Sequence, residues 1–183
     1  MHRQRLLRLI DEYALRYPEE MAVVARFRSF VNEQERCFER DCWAGHITGS
    51  AWLVNEAGSH VLLTHHRKLE RWLQLGGHSD GEPDTLLAAQ REAEEESGLP
   101  VRVLEDSIFD LDVHEIPARK NDPAHFHYDV RFVFVADHES FEVSAESLDL
   151  AWVPIDELKS FSIEESMLRM GRKWLLGGSE SGK

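Results

Sequence analysis

Residues 76–99, GGHSDGEPDTLLAAQREAEEESGL, join a turn-rich segment to a stretch that is crowded with glutamates. Residues three and four positions apart share one face of an α-helix, so Glu92, Glu95 and Glu96 converge while Glu94 points elsewhere. A solvated charged face is the ordinary interpretation of such a stretch. Three like charges at this spacing repel one another, however, and Mg²⁺ would relieve the repulsion because it prefers oxygen ligands. The pattern therefore indicates either a solvated helix or a metal-binding face.

The residues around this stretch predict its boundaries and its neighbours. Asp84 is a plausible N-cap and Gly98 stands where a helix-ending glycine is expected, which predicts a helix over 85–97. Alternating or β-branched apolar runs predict strands elsewhere, with a late strand that runs into a turn and a closing helix at 162–176. The predicted strands cover 46–54, 60–66, 101–104, 107–116, 126–136 and the start of 150–158, and 72–75 is a short apolar run that ends at Gly76 and Gly77.

Strands mixed with helices in this order predict an α/β fold, a layered α/β/α sandwich around a mixed sheet. Residues 41–176 would form this domain. Residues 1–40 would be an N-terminal helical extension of two helices, interrupted at Pro18, that packs on the main body or on a second subunit. A homodimer is therefore possible. The last residues, 177–183, are rich in glycine and serine and predict a flexible tail.

Composition narrows the classes of partner. The 183 residues carry a formal net charge of -13, which argues against binding to a nucleic acid polymer because such binding needs a basic surface. No apolar run reaches membrane-spanning length, and the basic start lacks a secretory core, so we expect a cytoplasmic protein with no membrane partner. The two cysteines, Cys37 and Cys42, are too few for a disulfide scaffold.

The segment 76–99 resembles the Nudix box, whose pattern is Gly, five residues, Glu, seven residues, then Arg-Glu-apolar-x-Glu-Glu-x-Gly-apolar. Gly77 matches the first position, and the second half matches with correct spacing at Arg91, Glu92, Ala93, Glu95, Glu96, Gly98 and Leu99. One position departs from the pattern, because Pro83 stands where the first glutamate belongs. That glutamate mostly supports the box arginine in the family, so Glu82 or Asp84 would have to take its place.

The resemblance implies a metal-dependent hydrolase that cuts the pyrophosphate of a small nucleoside diphosphate derivative, giving a nucleoside monophosphate and a phosphorylated product. Its cofactor would be Mg²⁺, with Mn²⁺ as a possible substitute. Glu92, Glu95 and Glu96 would be metal ligands together with the Gly77 carbonyl, and Arg91 would orient the carboxylates. One of the box glutamates could be the general base.

Several Nudix enzymes take the base from a distant loop, and here we prefer Glu146 over Glu142. His78 adjoins the box glycine, while His127 and Arg131 lie on the polar face of the strand 126–136, so all three are candidate substrate contacts. A plain polar strand face is the alternative for the last two. A second metal site built from the histidines would need a third convergent ligand.

Two other functions compete with hydrolysis. A Nudix-fold isomerase of isopentenyl diphosphate would need a cysteine within a strand of the site, whereas Cys37 and Cys42 precede the predicted sheet. A catalytically silent Nudix module that binds nucleotide and regulates a partner is favoured by Pro83, but it has no need for three mutually repelling acids. Nucleoside diphosphate sugars, ADP-ribose, dinucleoside polyphosphates and modified nucleoside triphosphates all remain candidate substrates.

Overall fold

A computed structural model describes residues 2–67, 69–119, 122–144 and 147–177. The chain starts with two helices, α1 (Gln4–Arg16) and α2 (Met21–Glu33), separated by a short 3₁₀ helix at Pro18–Glu20. Pro18 cannot continue α1 because it lacks a backbone N–H, and it instead begins the 3₁₀ turn. The predicted break between two N-terminal helices is confirmed.

An eight-stranded mixed sheet forms the centre of the molecule, and its main path has the order β3-β2-β1-β7-β5. In addition, β4 pairs with β1, β6 with β7, and β8 with β2. The long central pair β1–β7 is parallel, while the other pairings of described strands are antiparallel. The strands are β1 (His46–Val54), β2 (His60–His66), β3 (Arg71–Leu73), β4 (Leu75–His78), β5 (Val101–Val103), β6 (Asp110–Ile116), β7 (His125–Ala136) and β8 (Ser147–Pro154).

The helix α3 (Thr85–Ser97) lies directly on β1 and carries the glutamates. Its contact with the strand is close because β1 has a glycine there: a Cβ at Gly49 would meet the backbone N of Ala89 at 2.8 Å and the carbonyl of Thr85 at 2.9 Å. Asp84 caps the N-terminus by accepting from the backbone N of Leu86 at 3.2 Å. Gly98 ends the helix in the left-handed conformation, with φ of 68°.

Two apolar layers cover the two faces of the sheet. One contains α1, α2 and α3, whose side chains pack with residues such as Ile47, Phe132 and Phe134. The other contains α4 (Glu165–Gly177) and the 3₁₀ helix Ile155–Ser160, which pack with residues such as Trp52 and Val133. Neighbouring β7 residues alternate between the layers, as strand geometry requires. The α/β/α sandwich around a mixed sheet is therefore confirmed.

The N-terminal helices share one continuous core with the sheet. Leu6, Ile10 and Tyr13 of α1, and Val24 and Phe27 of α2, are buried in the same cluster as the β-strands. These helices therefore pack on the main body. The division at residues 40 and 41 remains a prediction, and residues 178–183 of the predicted tail lie outside the described residues. None of the helices in the described ranges is long and apolar enough to cross a bilayer.

The short apolar run 72–75 contains the end of β3 and the start of β4, and Gln74 between them donates to the Asp129 carboxylate at 3.1 Å. Three predicted boundaries are corrected. The strand predicted at 107–116 begins only at Asp110, and the helix predicted from 162 begins at Glu165. The last predicted strand continues through 147–154 and turns into the 3₁₀ helix.

Candidate active site

The box carboxylates lie against the backbone of β4. A side chain at Gly77 would collide with the carboxylate of Glu92, so the glycine is what lets that carboxylate reach the strand. The backbone N of Gly76 donates to Glu96 Oε1 at 3.4 Å. Glu92 is 17% exposed whereas Glu95 is 66% exposed, so the group runs from the interior of the molecule to its surface.

Arg91 holds the glutamates in place. One guanidinium nitrogen donates to the backbone carbonyl of His78 at 2.7 Å and to Glu92 Oε1 at 2.9 Å, and Glu95 Oε1 lies 4.0 Å from the arginine Nε. Burial raises the pKa of Glu92, and the hydrogen bond and charge of Arg91 oppose that rise. The arginine therefore fixes the carboxylate on β4, the orienting role that the sequence predicts.

The acids beside Pro83 are engaged elsewhere. Glu82 Oε1 accepts from the backbone N of Asp84 at 2.9 Å, and the Asp84 carboxylate binds Arg5 of α1 while it caps α3. The expectation that one of them replaces the missing glutamate as partner of Arg91 is therefore corrected. The carbonyl of His78 supplies the acceptor instead, and a neutral carbonyl suffices because Glu92 already balances the charge of the arginine.

The donors present suit a hard divalent cation. Glu92 and Glu96 offer carboxylate oxygens at β4, where the backbone of Gly77 is open to them because it carries no side chain, and the exposed Glu95 lies on the same helix 4.0 Å from Arg91. Among the candidate bases, Glu146 lies outside the described residues. Glu142 is described: its backbone N donates to the Ser97 carbonyl at 2.8 Å, at the end of α3.

A polar surface covers the sheet beside this site, and the β1–β7 register creates it. His46 pairs with His127, Thr48 with Asp129 and Ser50 with Arg131. Asp129 is buried and accepts hydrogen bonds from Thr48 at 2.8 Å, Ser50 at 2.7 Å and Arg131 at 2.7 Å, in addition to that from Gln74. The polar groups in the middle of this surface therefore form hydrogen bonds with one another.

Arg131 is 2% exposed and lies inside an ion-pair network. Its guanidinium pairs with Asp129 at 2.7 Å, with Asp110 at 3.0 Å and with Asp112 at 3.5 Å. Burial by itself would lower the pKa of Arg131, but the three aspartates outweigh it and raise the pKa. The geometry thus gives Arg131 a structural role, and it differs in this from the substrate contact expected of it.

Five histidines meet at the far end of the polar surface, and we call them the histidine cluster: His46, His78, His114, His125 and His127. The ring centre of His127 lies 4.8 Å from that of His46, 5.1 Å from that of His78 and 5.5 Å from that of His114. His78 and His127, the two candidate substrate contacts, are therefore neighbours. The other three members, His46, His114 and His125, are not among the candidate substrate contacts.

The cysteines do not enter the site. Both are free thiols, Cys37 is buried, and burial raises its pKa to about 12. A thiol in that state is a poor proton donor or nucleophile at neutral pH.

A family model for the NUDIX domain matches residues 46–173. Comparison with curated proteins gives no significant match. Among solved structures, a NUDIX-family hydrolase from Clostridium perfringens is 23% identical, with a TM-score of 0.53, and the match covers 72% of this chain and 97% of that one.

Two further solved structures share the fold at lower identity. An Ap4A hydrolase from C. elegans is 17% identical with a TM-score of 0.54, covering 73% of this chain and 98% of its own. A dihydroneopterin triphosphate pyrophosphohydrolase from E. coli is 16% identical with a TM-score of 0.57, covering 72% of this chain and 95% of its own. Matches at this level of identity establish a shared fold.

Proposed function

The chain belongs to the Nudix family, and we propose that it is a metal-dependent pyrophosphohydrolase of a small nucleoside diphosphate derivative. One observation carries the proposal: the carboxylates of Glu92 and Glu96 both reach the backbone of β4, at Gly77 and Gly76, where Arg91 holds the first of them. Mutually repelling acids that are fixed together in this way fit cation binding better than they fit a solvated helix face.

We assign the ligands as Glu92, Glu95, Glu96 and the Gly77 carbonyl, with Mg²⁺ as the cation and Mn²⁺ as a substitute. When bound, the cation cancels phosphate charge and lowers the pKa of a coordinated water. Arg91 keeps Glu92 turned toward β4 by bonding it together with the His78 carbonyl. The exposed Glu95 is also our candidate general base among the box glutamates, because a carboxylate that gives one oxygen to the cation keeps a second oxygen that can accept a proton.

Glu146 is the alternative general base in this proposal. Glu142, four positions earlier in the sequence, contacts the C-terminal end of α3, and this contact supports a search for the base in the same stretch of sequence. We retain His78 as a candidate substrate contact because it adjoins Gly77. We do not retain Arg131, because its guanidinium already forms ion pairs with three aspartates.

The substrate is a small molecule with a phosphoanhydride bond. The named actions of the two relatives, on Ap4A and on dihydroneopterin triphosphate, share that bond. A chain with a net charge of -13 repels long polyanions more than small ones, which favours a mononucleotide or dinucleotide substrate. Nucleoside diphosphate sugars, ADP-ribose and dinucleoside polyphosphates are the compounds to test first.

The test is a panel of these compounds incubated with metal-free protein, then with Mg²⁺ or Mn²⁺, with products identified by mass spectrometry. We expect metal-dependent release of a nucleoside monophosphate. Glu95→Gln and Glu96→Gln should each lower kcat/KM by about a hundredfold or more, because each removes a charged ligand from the transition state.

Glu94→Gln is the matched control. Glu94 lies on the same helix but is exposed and accepts only from Gln90, at 3.1 Å, on a different face. Its variant should keep the wild-type rate. Equal rates for all three variants would remove the box acids from the mechanism, and failure of every compound to turn over with metal would favour a binding module without catalysis.

A further inference from the structure

Three side chains of the histidine cluster, two of them buried, converge from two parallel strands. His46 begins β1, while His125 and His127 stand at the start of β7, and each has a ring nitrogen within 4.8 Å of a ring nitrogen of the other two. His46 is 1% exposed and His125 is 8% exposed. The parallel register that pairs His46 with His127 is what brings them together.

Two of these rings have buried nitrogens without a hydrogen-bond partner. Both nitrogens of His46 and the Nε2 of His127 form no hydrogen bond within the described part of the chain, although the backbone of Cys42 lies close enough to His46 to favour its protonated form. A buried polar atom without a partner is costly, so such atoms in a folded protein call for an explanation. Unpartnered nitrogens on two adjacent rings indicate a shared ligand.

His125 shows how the rings are oriented. Its Nδ1 lies 2.8 Å from the carbonyl of Pro123, and because a carbonyl only accepts, Nδ1 carries the proton. The Nε2 lone pair is therefore available. A backbone carbonyl that fixes the tautomer in this way is the usual support of a metal-binding histidine. His114 has similar support from Asp112, whose carboxylate lies 3.1 Å from its Nδ1.

Imidazole binds a metal in its neutral form, so a histidine ligand adds no charge to the ion.

We propose that His46, His125 and His127 form a binding site for one divalent transition metal of the Zn²⁺ class, separate from the carboxylate site on α3. Ligand nitrogens of a tetrahedral site lie about 3.3 Å apart, since Zn–N bonds are about 2.0–2.1 Å long. Binding would require the three nitrogens, which now lie within 4.8 Å of one another, to move closer together. Imidazole nitrogens select Zn²⁺-like ions, whereas the carboxylate oxygens of α3 suit Mg²⁺ or Mn²⁺.

Three protein ligands leave the fourth position of a tetrahedral ion open to an exogenous ligand. The ligands are neutral, so the ion keeps its full double charge, and an anionic oxygen is the ligand that this charge favours. His78 is adjacent in sequence to Gly77, and its ring lies 5.0 Å from that of His46, so the metal would sit beside the carboxylate site. The proposal does not depend on hydrolysis of any substrate.

The test uses the full chain after removal of metal. Titration calorimetry with ZnCl₂ should show one tight equivalent that excess Mg²⁺ does not displace. His46→Gln and His127→Asn should each weaken that binding by about tenfold or more. His138→Gln alters an exposed histidine outside the cluster and should bind as wild type does. Glu95→Gln and Glu96→Gln should also retain it, because they alter the other site.

X-ray absorption of the wild-type protein with one equivalent of Zn²⁺ gives a readout that needs no variant. We expect imidazole scatterers from three histidines. An oxygen-only coordination shell, no Zn²⁺ uptake, or uptake that survives both histidine variants but is lost in Glu95→Gln would each overturn the proposal. Circular dichroism of each variant identifies any loss of binding that comes from misfolding. If a variant is misfolded, the X-ray absorption spectrum of the wild-type protein decides whether histidines bind the Zn²⁺.

Discussion

The absence of a side chain at Gly77 defines the geometry of the carboxylate site. A Cβ there would collide with the Glu92 carboxylate and push it off β4. We expect Gly77→Ala to lower kcat by about a hundredfold, because displacement of a positioning group by about 1 Å has an effect of that size. Steady-state kinetics on the best substrate of the panel measures it.

Gly177→Ala is the control for this change. It adds the same methyl group at the end of α4, where no atom lies within 4 Å, and should leave both rate and melting temperature unchanged. A Gly77→Ala protein that is folded and fully active would show that Glu92 need not touch the strand.

Single residues also show where sequence reasoning stops. The glutamates and Arg91 were predictable because their helical spacing is local, and the tight turns around them have recognisable residues. His46 was not, because nothing near it in the sequence is chemically suggestive. Its neighbour His127 lies 81 positions away by chain number, and only the parallel pairing of β1 with β7 joins them. Glu146 remains a prediction.

The helix α3 depends on Asp84 at its start. The Asp84 carboxylate caps the helix and also binds Arg5 of α1. We expect Asp84→Ala to lower the free energy of unfolding by about 1–2 kcal/mol, since it removes both contacts. Asp84→Asn keeps a capping oxygen, so it should lose much less. Urea denaturation of both proteins measures the difference, and equal losses would show that the ion pair dominates.

The close packing of α3 on β1 depends on Gly49. Gly49→Ala would place a methyl group against the helix backbone, which cannot move aside as a side chain can. We expect a loss of about 1–3 kcal/mol in the free energy of unfolding. Gly171→Ala is the comparison: its methyl group would meet the ends of two side chains, Leu158 at 3.0 Å and Ile155 at 4.0 Å, and should cost less. A larger loss at Gly171 would contradict this explanation.

Elements differed in how well the sequence predicted them. The bounds of β1, β2 and α3 agree with prediction because their patterns are long and their ends carry turn or capping residues. The short apolar run 72–75 was not assigned to a strand. Its four residues contain too little pattern to reveal that Gln74 leaves one strand pairing, contacts Asp129 and begins another.

One buried network joins distant parts of the whole molecule. The Asp110 carboxylate of β6 forms ion pairs with Arg131 of β7 at 3.0 Å and with Arg169 and Lys173 of α4 at 2.7 Å each. Burial by itself would raise the pKa of Asp110, but the hydrogen bond from Arg169 and the charges of Arg131 and Lys173 outweigh it and hold the pKa below its usual range. Charge balance here therefore stabilises the packing of α4 on the sheet.

This network predicts how stability depends on pH. Because the folded-state pKa of Asp110 is below its unfolded value of about 3.9, the network stabilises the protein fully above that pH and loses its effect as pH falls. Urea midpoints between about pH 7 and about pH 3 should therefore decline below about pH 4. A midpoint that stays level or rises on acidification would contradict the charge balance.

Loss of the Arg131 guanidinium from this network should destabilise the protein more than acidification does. Arg131→Met leaves Asp110 and Asp129 with uncompensated buried charge, and we expect it to lower the free energy of unfolding by about 3–5 kcal/mol. Arg172→Met is the control, because that arginine pairs with Glu165 at the exposed surface of α4 and should change stability by about 0.5 kcal/mol or less. A small effect at Arg131 would mean that water compensates the aspartates.

The same network has a consequence for how the chain reaches its native state. Lys173 contacts Asp110 and also donates to Tyr13 of α1 at 2.6 Å, across 160 positions of the chain. During synthesis, α1 and the strands leave the ribosome before α4 exists, so the acid is made well ahead of the base that neutralises it. Until α4 emerges, one face of the nascent sheet is uncovered and the Asp110 carboxylate lacks the positive charges of α4. A chaperone would be most useful during this interval.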